Sequence, residues 1–537
     1  YNWTGTEDSP YGSFSTYAEM KPYLPIYDDN GELLQNLQAG EFKAANPLYP
    51  VKYLESYRGK GKTDDITDNF NVNMYFANGL QFKGQFSITK TTSKTETFVD
   101  PKDASFQYSG ITDDKKGSLD RSTSSNWNWN LNTMFYYNKT LGGRHFINAT
   151  LGMNAKETSS ESEQMRFLGF GLGGINSPLF AAGQPDKTKI STSKNRLIGF
   201  LGSVNYSFDD VYLFDASFRF DASSQFGKDK RWAPFWSVGT GINFHNYEFL
   251  KDNWLISQLK IRATYGSTGN VNFPLSMATT TYNMNMDSWF FTGAGAQFNT
   301  LGNPRLTWEK TKTFNIGVDA SFFNNQLNLT FDYFYKRTTD ILMKPIVPTV
   351  FGTDMPMDNI GEMQNQGWEI GINYNVRTGQ VQHGFSLNLS DSYNKVLKFP
   401  GHEQITKVDE LERIIREGVP LNSYYGYKTD GYFQSYEEIE ASAIPVGGKV
   451  QPGDVKFVDR NNDGVIDSKD RFILGNAFPR YTFGFTYNLS WKGLDFSMFW
   501  QGVGKRDMML RGELIEPFHE NYSYNIFKHQ LDFWTPT

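Results

Sequence analysis

The twelve residues Asp459–Asp470, DRNNDGVIDSKD, carry the sharpest chemistry in this sequence. Oxygen-bearing side chains stand at the first, third, fifth, ninth and twelfth places: Asp459, Asn461, Asp463, Asp467 and Asp470. Gly464 fills the sixth place, where such a loop turns sharply, and Val465 the seventh, which offers a main-chain carbonyl. A hard cation such as Ca2+ takes about six to eight oxygens, and this spacing delivers them around one centre. The expectation is a structural calcium clamp within an external segment spanning 451–475, with Asp470 where a bidentate Glu is usual. The rival reading is an acidic turn that binds nothing.

Tyr424, Tyr425, Tyr427 and Tyr432 form a second candidate, a loop cluster of rings able to stack on a ligand. Other patterns fail on their own terms. Gly61, Lys62 and Thr63 imitate the end of a phosphate-binding loop, but its first glycine would fall at Ser56. Gly169, Gly171, Gly173 and Gly174 lack the preceding strand and following helix of a dinucleotide site. The six histidines form no HExxH pair, no GxSxG elbow is present, and the absence of cysteine removes thiolate chemistry. With 58 Asp and Glu, some pair is inevitable in space, so none is promoted to a catalytic dyad. A net charge of −6 with no basic stripe argues against nucleic acid as a partner. No enzyme is expected.

The elements that must position these residues follow from the rings. Phe, Tyr and Trp make up 16% of the chain, yet the mean hydropathy is −0.53, so the rings are interleaved with polar residues. In NWNWNLNTMFYY, Trp127, Trp129, Leu131, Phe135 and Tyr137 alternate with Asn126, Asn128, Asn130 and Asn132. A strand puts all these rings on one face and the asparagines on the other, whereas a helix would scatter them. Rings such as Trp127, Trp129, Tyr333 and Tyr335 are therefore expected against lipid.

The same alternation predicts strands around Phe70–Phe76 and Leu80–Ile88, joined by Ala77, Asn78 and Gly79. It predicts hairpins pairing Ile198–Phe208 with Tyr212–Phe220 across Asp209 and Asp210, and Phe314–Phe322 with Leu327–Tyr335 across 323–326. Trp368–Val376 pairs likewise with Phe385–Tyr393, and Tyr481–Leu489 with Leu494–Trp500. His145–Ala155, Phe235–Phe244 and Leu259–Thr268 bring the total to about fourteen strands. Each is expected to run about 9 to 11 residues, the length that crosses a bilayer when tilted. Short turns alternate with long segments near 90–125, 156–196, 269–312, 337–366 and 395–480, an asymmetry of outer-membrane barrels. No apolar run is long enough for a spanning helix, which needs about 20 residues. The predicted fold is all-β: an antiparallel transmembrane barrel with long extracellular loops, occupying all of 1–537.

Several blocks then resemble a known family. YLFDASFRFDASSQFGKDKRWAPFWSVGTGINFHNYEFL (212–250), LKIRATYGSTGN (259–270), NPRLTWEKTKTFNIGVDASFFNNQLNLTFDYFYKRTTDIL (303–342) and NIGEMQNQGWEIGINYN (359–375) are similar, in order, to SusC/RagA-type TonB-dependent transporters. The resemblance implies a barrel of about 22 strands in the bacterial outer membrane, filled by a plug and lidded by a SusD-like lipoprotein. It also implies import of glycans or peptides, driven by the TonB complex through an N-terminal region. The present sequence is expected to be a fragment, since plug, TonB-contacting segment and final strands are not seen in it. Alternatives are a passive porin, a barrel scaffold in a surface complex and a secreted carbohydrate-active β-protein.

Overall fold

In the computed structural model the dominant element is one antiparallel sheet of fourteen strands, each bonded to its neighbours in chain order. The description excludes residues 1–22, 35, 39–43, 47, 50–56, 77–78, 102–105, 107–111, 172–174, 184–187, 252, 272, 274–276, 291–292, 346–349, 351–354, 402, 409–410, 512–514, 516–525 and 536–537. The strands are β1 Tyr57–Tyr75, β2 Leu80–Val99, β3 Ser118–Leu141, β4 His145–Leu168, β5 Lys189–Phe208, β6 Tyr212–Ser223 and β7 Trp232–Asn243. They continue with β8 Ile256–Asn270, β9 Glu309–Phe322, β10 Leu327–Met343, β11 Asp358–Thr378, β12 Val381–Lys398, β13 Arg480–Trp491 and β14 Leu494–Lys505. All fourteen expected strands are present. No helix among the described residues is long and apolar enough to cross a membrane, so any crossing is made by strands.

Local chemistry sets the tight turns. Asp209 and Asp210 both adopt positive φ (54° and 53°) at the centre of a tight turn closed by the Val211 N–H donating to the Phe208 carbonyl at 3.0 Å, a turn whose twist matches that of its strands. Gly142 and Gly143 do the same between β3 and β4, where positive φ costs glycine nothing. Ala77 and Asn78, expected in the first turn, lie outside the described residues.

Register decides the faces. Residues paired across an antiparallel ladder point the same way, so Phe86, Leu131 and Ala155 share a face, as do Phe218 and Trp236. Following this face across the sheet gives Tyr265, Phe314, Tyr335, then Phe331, Ile370, Leu389 and Phe483. The apolar stripe is unbroken from β1 to β14. Its rings touch each other, as in Phe82–Phe135 (4.9 Å), Phe220–Trp232 (4.8 Å) and Phe385–Tyr487 (4.9 Å), yet many stay open to the outside. Leu151 is 66% exposed, Phe218 52% and Trp500 61%, values that would be prohibitive on a water-facing sheet of this size.

Trp127 to Tyr137 spans roughly 34 Å along its strand. Tilted by about 45°, that becomes roughly 25 Å of height, the thickness of an outer-membrane apolar band. At one end of the band two His–Tyr pairs recur with the same geometry: His145 Nδ1 lies 2.8 Å from the Tyr206 hydroxyl, and His383 Nδ1 2.8 Å from that of Tyr487.

Two expectations need correction. The strands run 12 to 24 residues rather than 9 to 11, and the segments near 90–125 and 156–196 are about half strand. Beyond the lipid both faces are wet, so stretches such as Thr91–Glu96 lose the alternation that marks a strand while their backbones still pair. Strand pairing needs only N–H and C=O partners; the sequence pattern needs an apolar neighbour as well. The 395–480 segment is also more than a loop: it holds a four-stranded sheet, two two-stranded sheets and the short helix Tyr436–Glu440.

Candidate functional site

The face opposite the apolar belt carries hydrogen-bonding side chains in rows. Asn154 Nδ2 donates to Asn130 Oδ1 (2.9 Å) and Asn132 Oδ1 (2.5 Å), and Asn148 Nδ2 donates to Asn138 Oδ1 (2.5 Å). The alternate asparagines of β3 thus form cross-strand ladders, as the period-two pattern requires. Further round the wall, Arg262 Nε donates to Asp319 (3.1 Å) and its Nη2 to Asp332 (2.7 Å), tying β8, β9 and β10 together. Gly317 stands opposite Arg262, and a Cβ there would lie 2.6 Å from the guanidinium carbon. The glycine lets the arginine reach across β9 to the far carboxylate.

At the end of the wall away from the tight turns, long connections fold back against this hydrated side. Phe235 of β7 faces it, being paired with Arg219, and packs with Phe226, Phe273, Leu306 and Trp308 in a buried cluster. The Trp308 indole N–H donates to the Arg231 carbonyl at 3.0 Å. The connection between β8 and β9 is therefore anchored by a small core of its own. A second core of Phe98, Leu119 and Phe170 seals the far ends of β2 and β3, and Gly169 of the glycine cluster turns there; Gly173 and Gly174 lie outside the described residues. Gly61, Lys62 and Thr63 fall within β1, where the Thr63 hydroxyl meets that of Ser93 at 3.1 Å. They form no phosphate loop.

The long β12–β13 connection builds an external module. Strands Glu403–Val408, Leu411–Arg416, Ser423–Tyr427 and Arg471–Gly475 form its main sheet. Tyr424, Tyr425 and Tyr427 share one strand, but their rings are covered: Arg413 lies over Tyr424 (5.8 Å), Arg416 over Tyr425 (5.7 Å) and Arg471 over Tyr427 (5.3 Å). Each contact joins a cation to a ring face, and Glu412 anchors Arg471 at 2.7 Å. Tyr432 belongs to a different pair of strands, Thr429–Tyr432 with Val455–Phe457, and is 52% exposed. The four tyrosines are not one platform. The covering arginines were missed in the sequence because strand register, which a linear pattern does not show, sets Arg413 and Arg416 of the preceding strand and Arg471 of a later one over the rings.

The Asp459–Asp470 loop closes on itself. Asp459 accepts from the N–H groups of Asn462 (2.7 Å) and Gly464 (2.8 Å), Asn461 from that of Asp463 (3.0 Å), and Asp463 from that of Val465 (3.0 Å). Asp467 accepts from Lys469 N–H (2.7 Å). Asp470 is fully buried and accepts from Arg460 N–H (2.9 Å) and Asp467 N–H (2.8 Å), tying the start of the loop to its end. Among the described residues no three His, Cys, Asp or Glu side chains converge as metal ligands.

The Asp467 N–H, helped by that of Arg460, holds the Asp470 carboxyl below its ordinary range against the opposing effect of burial. A depressed folded value means the ionised form stabilises the loop above about pH 4, and that this is lost as pH falls through the folded value. Limited proteolysis of the intact protein should therefore find 429–475 resistant at neutral pH and cleaved in stronger acid. Asp470→Asn should be cleaved at every pH.

An unbroken apolar belt, a hydrated opposite face and loops packed over one end define the wall of an outer-membrane β-barrel. The chain belongs to the TonB dependent receptor-like, beta-barrel family, which it matches over residues 3–512. It is a SusC/RagA-like member, located in the outer membrane. It is 29% identical to TonB-dependent receptor P26 of Formosa agariphila, over 100% of this chain and 54% of that protein. To TonB-dependent receptor SusC of Bacteroides thetaiotaomicron it is 28% identical, over 84% of this chain and 44% of that protein. A chain of the RagAB peptide transporter shares the fold with a TM-score of 0.80 at 20% identity, over 95% of this chain and 55% of that one. The chain thus spans about half the length of the curated relatives it matches.

Proposed function

We propose that this chain forms part of the wall of an importer that carries glycans or peptides across the outer membrane, working with a SusD-like surface lipoprotein and powered by the TonB complex. The observation that carries the reading is the two-faced wall itself, lipid-compatible outside and lined with hydrogen-bonding groups inside, in a chain of this family. The protein makes and breaks no bond in this reading. The external module supports it by offering a folded surface beside which a lipoprotein can sit.

Deleting the intact gene should abolish growth on one class of glycan or peptide as sole nutrient, and the tagged intact protein should bring a lipoprotein with it from outer membranes. Unchanged growth on every nutrient, with the protein isolated alone, would sink the proposal. A passive porin would instead admit solutes into proteoliposomes without TonB. Within the module we assign nutrient contact to Tyr432, the ring left open, and expect Tyr432→Ala to weaken uptake about three- to tenfold.

We also propose that Asp459–Asp470 takes a structural calcium ion. The ligand spacing supports this, as do the carboxylates, each of which keeps acceptor sites beyond its present N–H bonds. Calorimetry on EDTA-stripped protein should find one ion per chain with a Kd of about 10−4–10−3 M, the range of extracellular modules, lost in Asp463→Ala. No heat and no change in proteolysis at millimolar calcium would leave an acidic turn.

A further inference from the structure

A groove is sunk into the apolar belt where β3 to β7 meet. Its volume is 590 Å3 and its lining is almost wholly apolar. The register explains its shape. Small residues fall on neighbouring strands at the same height: Ala149 on β4 pairs with Val204 on β5, Val204 pairs with Ala216 on β6, and Gly202 lies one outward position along. Large rings on either side, Phe135, Phe218 and Trp236, stand up as walls. The depression is the space that Ala149, Gly202 and Ala216 leave between these rings.

Below the groove the chemistry changes sign. Lys139 occupies the next outward position after Tyr137, opposite Ile147, and is exposed without a carboxylate partner among the described residues. Arg144, in the adjoining turn, lies over the Phe208 ring at 4.8 Å on the same outward side and is held there by Asp209. The His145–Tyr206 hydrogen bond adds polar groups between them. An apolar furrow with an exposed ammonium one outward position beyond its Tyr137 edge matches a molecule with a hydrocarbon tail and an anionic head.

The tight turns of an outer-membrane barrel face the periplasm, so this rim meets the inner leaflet. We propose that the groove is a specific site for a periplasmic-leaflet glycerophospholipid, with an acyl chain lying over Ala149, Gly202 and Ala216 and its phosphate on Lys139. A cation beside an anionic headgroup changes affinity by about fivefold. A Cβ at Gly202 would meet only ordinary contacts, the Leu151 side chain and the Thr150 carbonyl at 3.9 Å each, so a larger side chain fills the groove without disturbing the sheet.

The proposal rests on the outer-membrane location, so its failure leaves the import reading untouched. Native mass spectrometry of the intact protein, extracted in mild detergent, should show one retained phospholipid per barrel. Gly202→Leu should abolish that retention, and Lys139→Glu, an exposed change that leaves the fold intact, should lower it about fivefold or more. Val318→Leu, elsewhere on the belt, should change nothing. Equal retention in Gly202→Leu and Lys139→Glu, or retention of lipid A in place of phospholipid, overturns the assignment.

Discussion

Ile316→Arg is expected to remove the protein from the outer membrane. Ile316 lies on the belt, paired with Ala263 and Tyr333, and is 40% exposed on the lipid side. An arginine near the bilayer midplane of a barrel costs about 2–4 kcal/mol, a large share of the stability of any domain. The companion change Asn388→Arg sits on the hydrated face, beside Gly371 and Gly484, where the side chain has room and water. It should fold normally. Folding titrations into lipid vesicles, read by the heat-dependent shift in gel mobility, separate the two. Equal behaviour of both variants would mean that the belt does not face hydrocarbon.

Trp308→Ala is expected to release the β8–β9 connection from the hydrated side of the wall. Trp308 is 4% exposed, packs against Phe226 at 5.1 Å and Phe235 at 5.3 Å, and donates to the Arg231 carbonyl. Losing a buried tryptophan costs about 3–5 kcal/mol, and the orphaned carbonyl adds to it. The fourteen-stranded ladder does not depend on this cluster, so the loss stays local. Protease should cut within 271–308 while the gel-mobility shift of the barrel is unchanged. Trp308→Phe, which keeps most of the apolar volume, should be cut more slowly. Resistance equal to that of the parent would show that the cluster does not anchor the connection.

The fold was legible because strand pattern and environment coincide across the bilayer. Side chains alternate in direction along any strand, so one apolar and one wet environment write a period-two signature into twelve residues such as Asn126–Tyr137. Turn chemistry is equally local, as the Asp209–Asp210 pair shows. The candidate sites were less legible. The spacing of Asp459–Asp470 identifies oxygens that can approach one another, but not that they bond first to their own backbone. Tyr424, Tyr425 and Tyr427 looked like a platform until Arg413, Arg416 and Arg471 arrived from other strands to cover them.

The sequence by itself determined the number of strands in the fourteen-stranded sheet, their order and which face of each meets lipid, because these follow from side-chain direction and hydrophobicity over a few neighbouring residues. The tertiary structure alone decided how far the strands stand clear of the membrane, that Trp308 bonds to Arg231 from 77 residues away, and where the belt opens into a groove. Those features depend on register and on contacts between segments remote in the chain, and a linear pattern holds no record of which remote residues will meet.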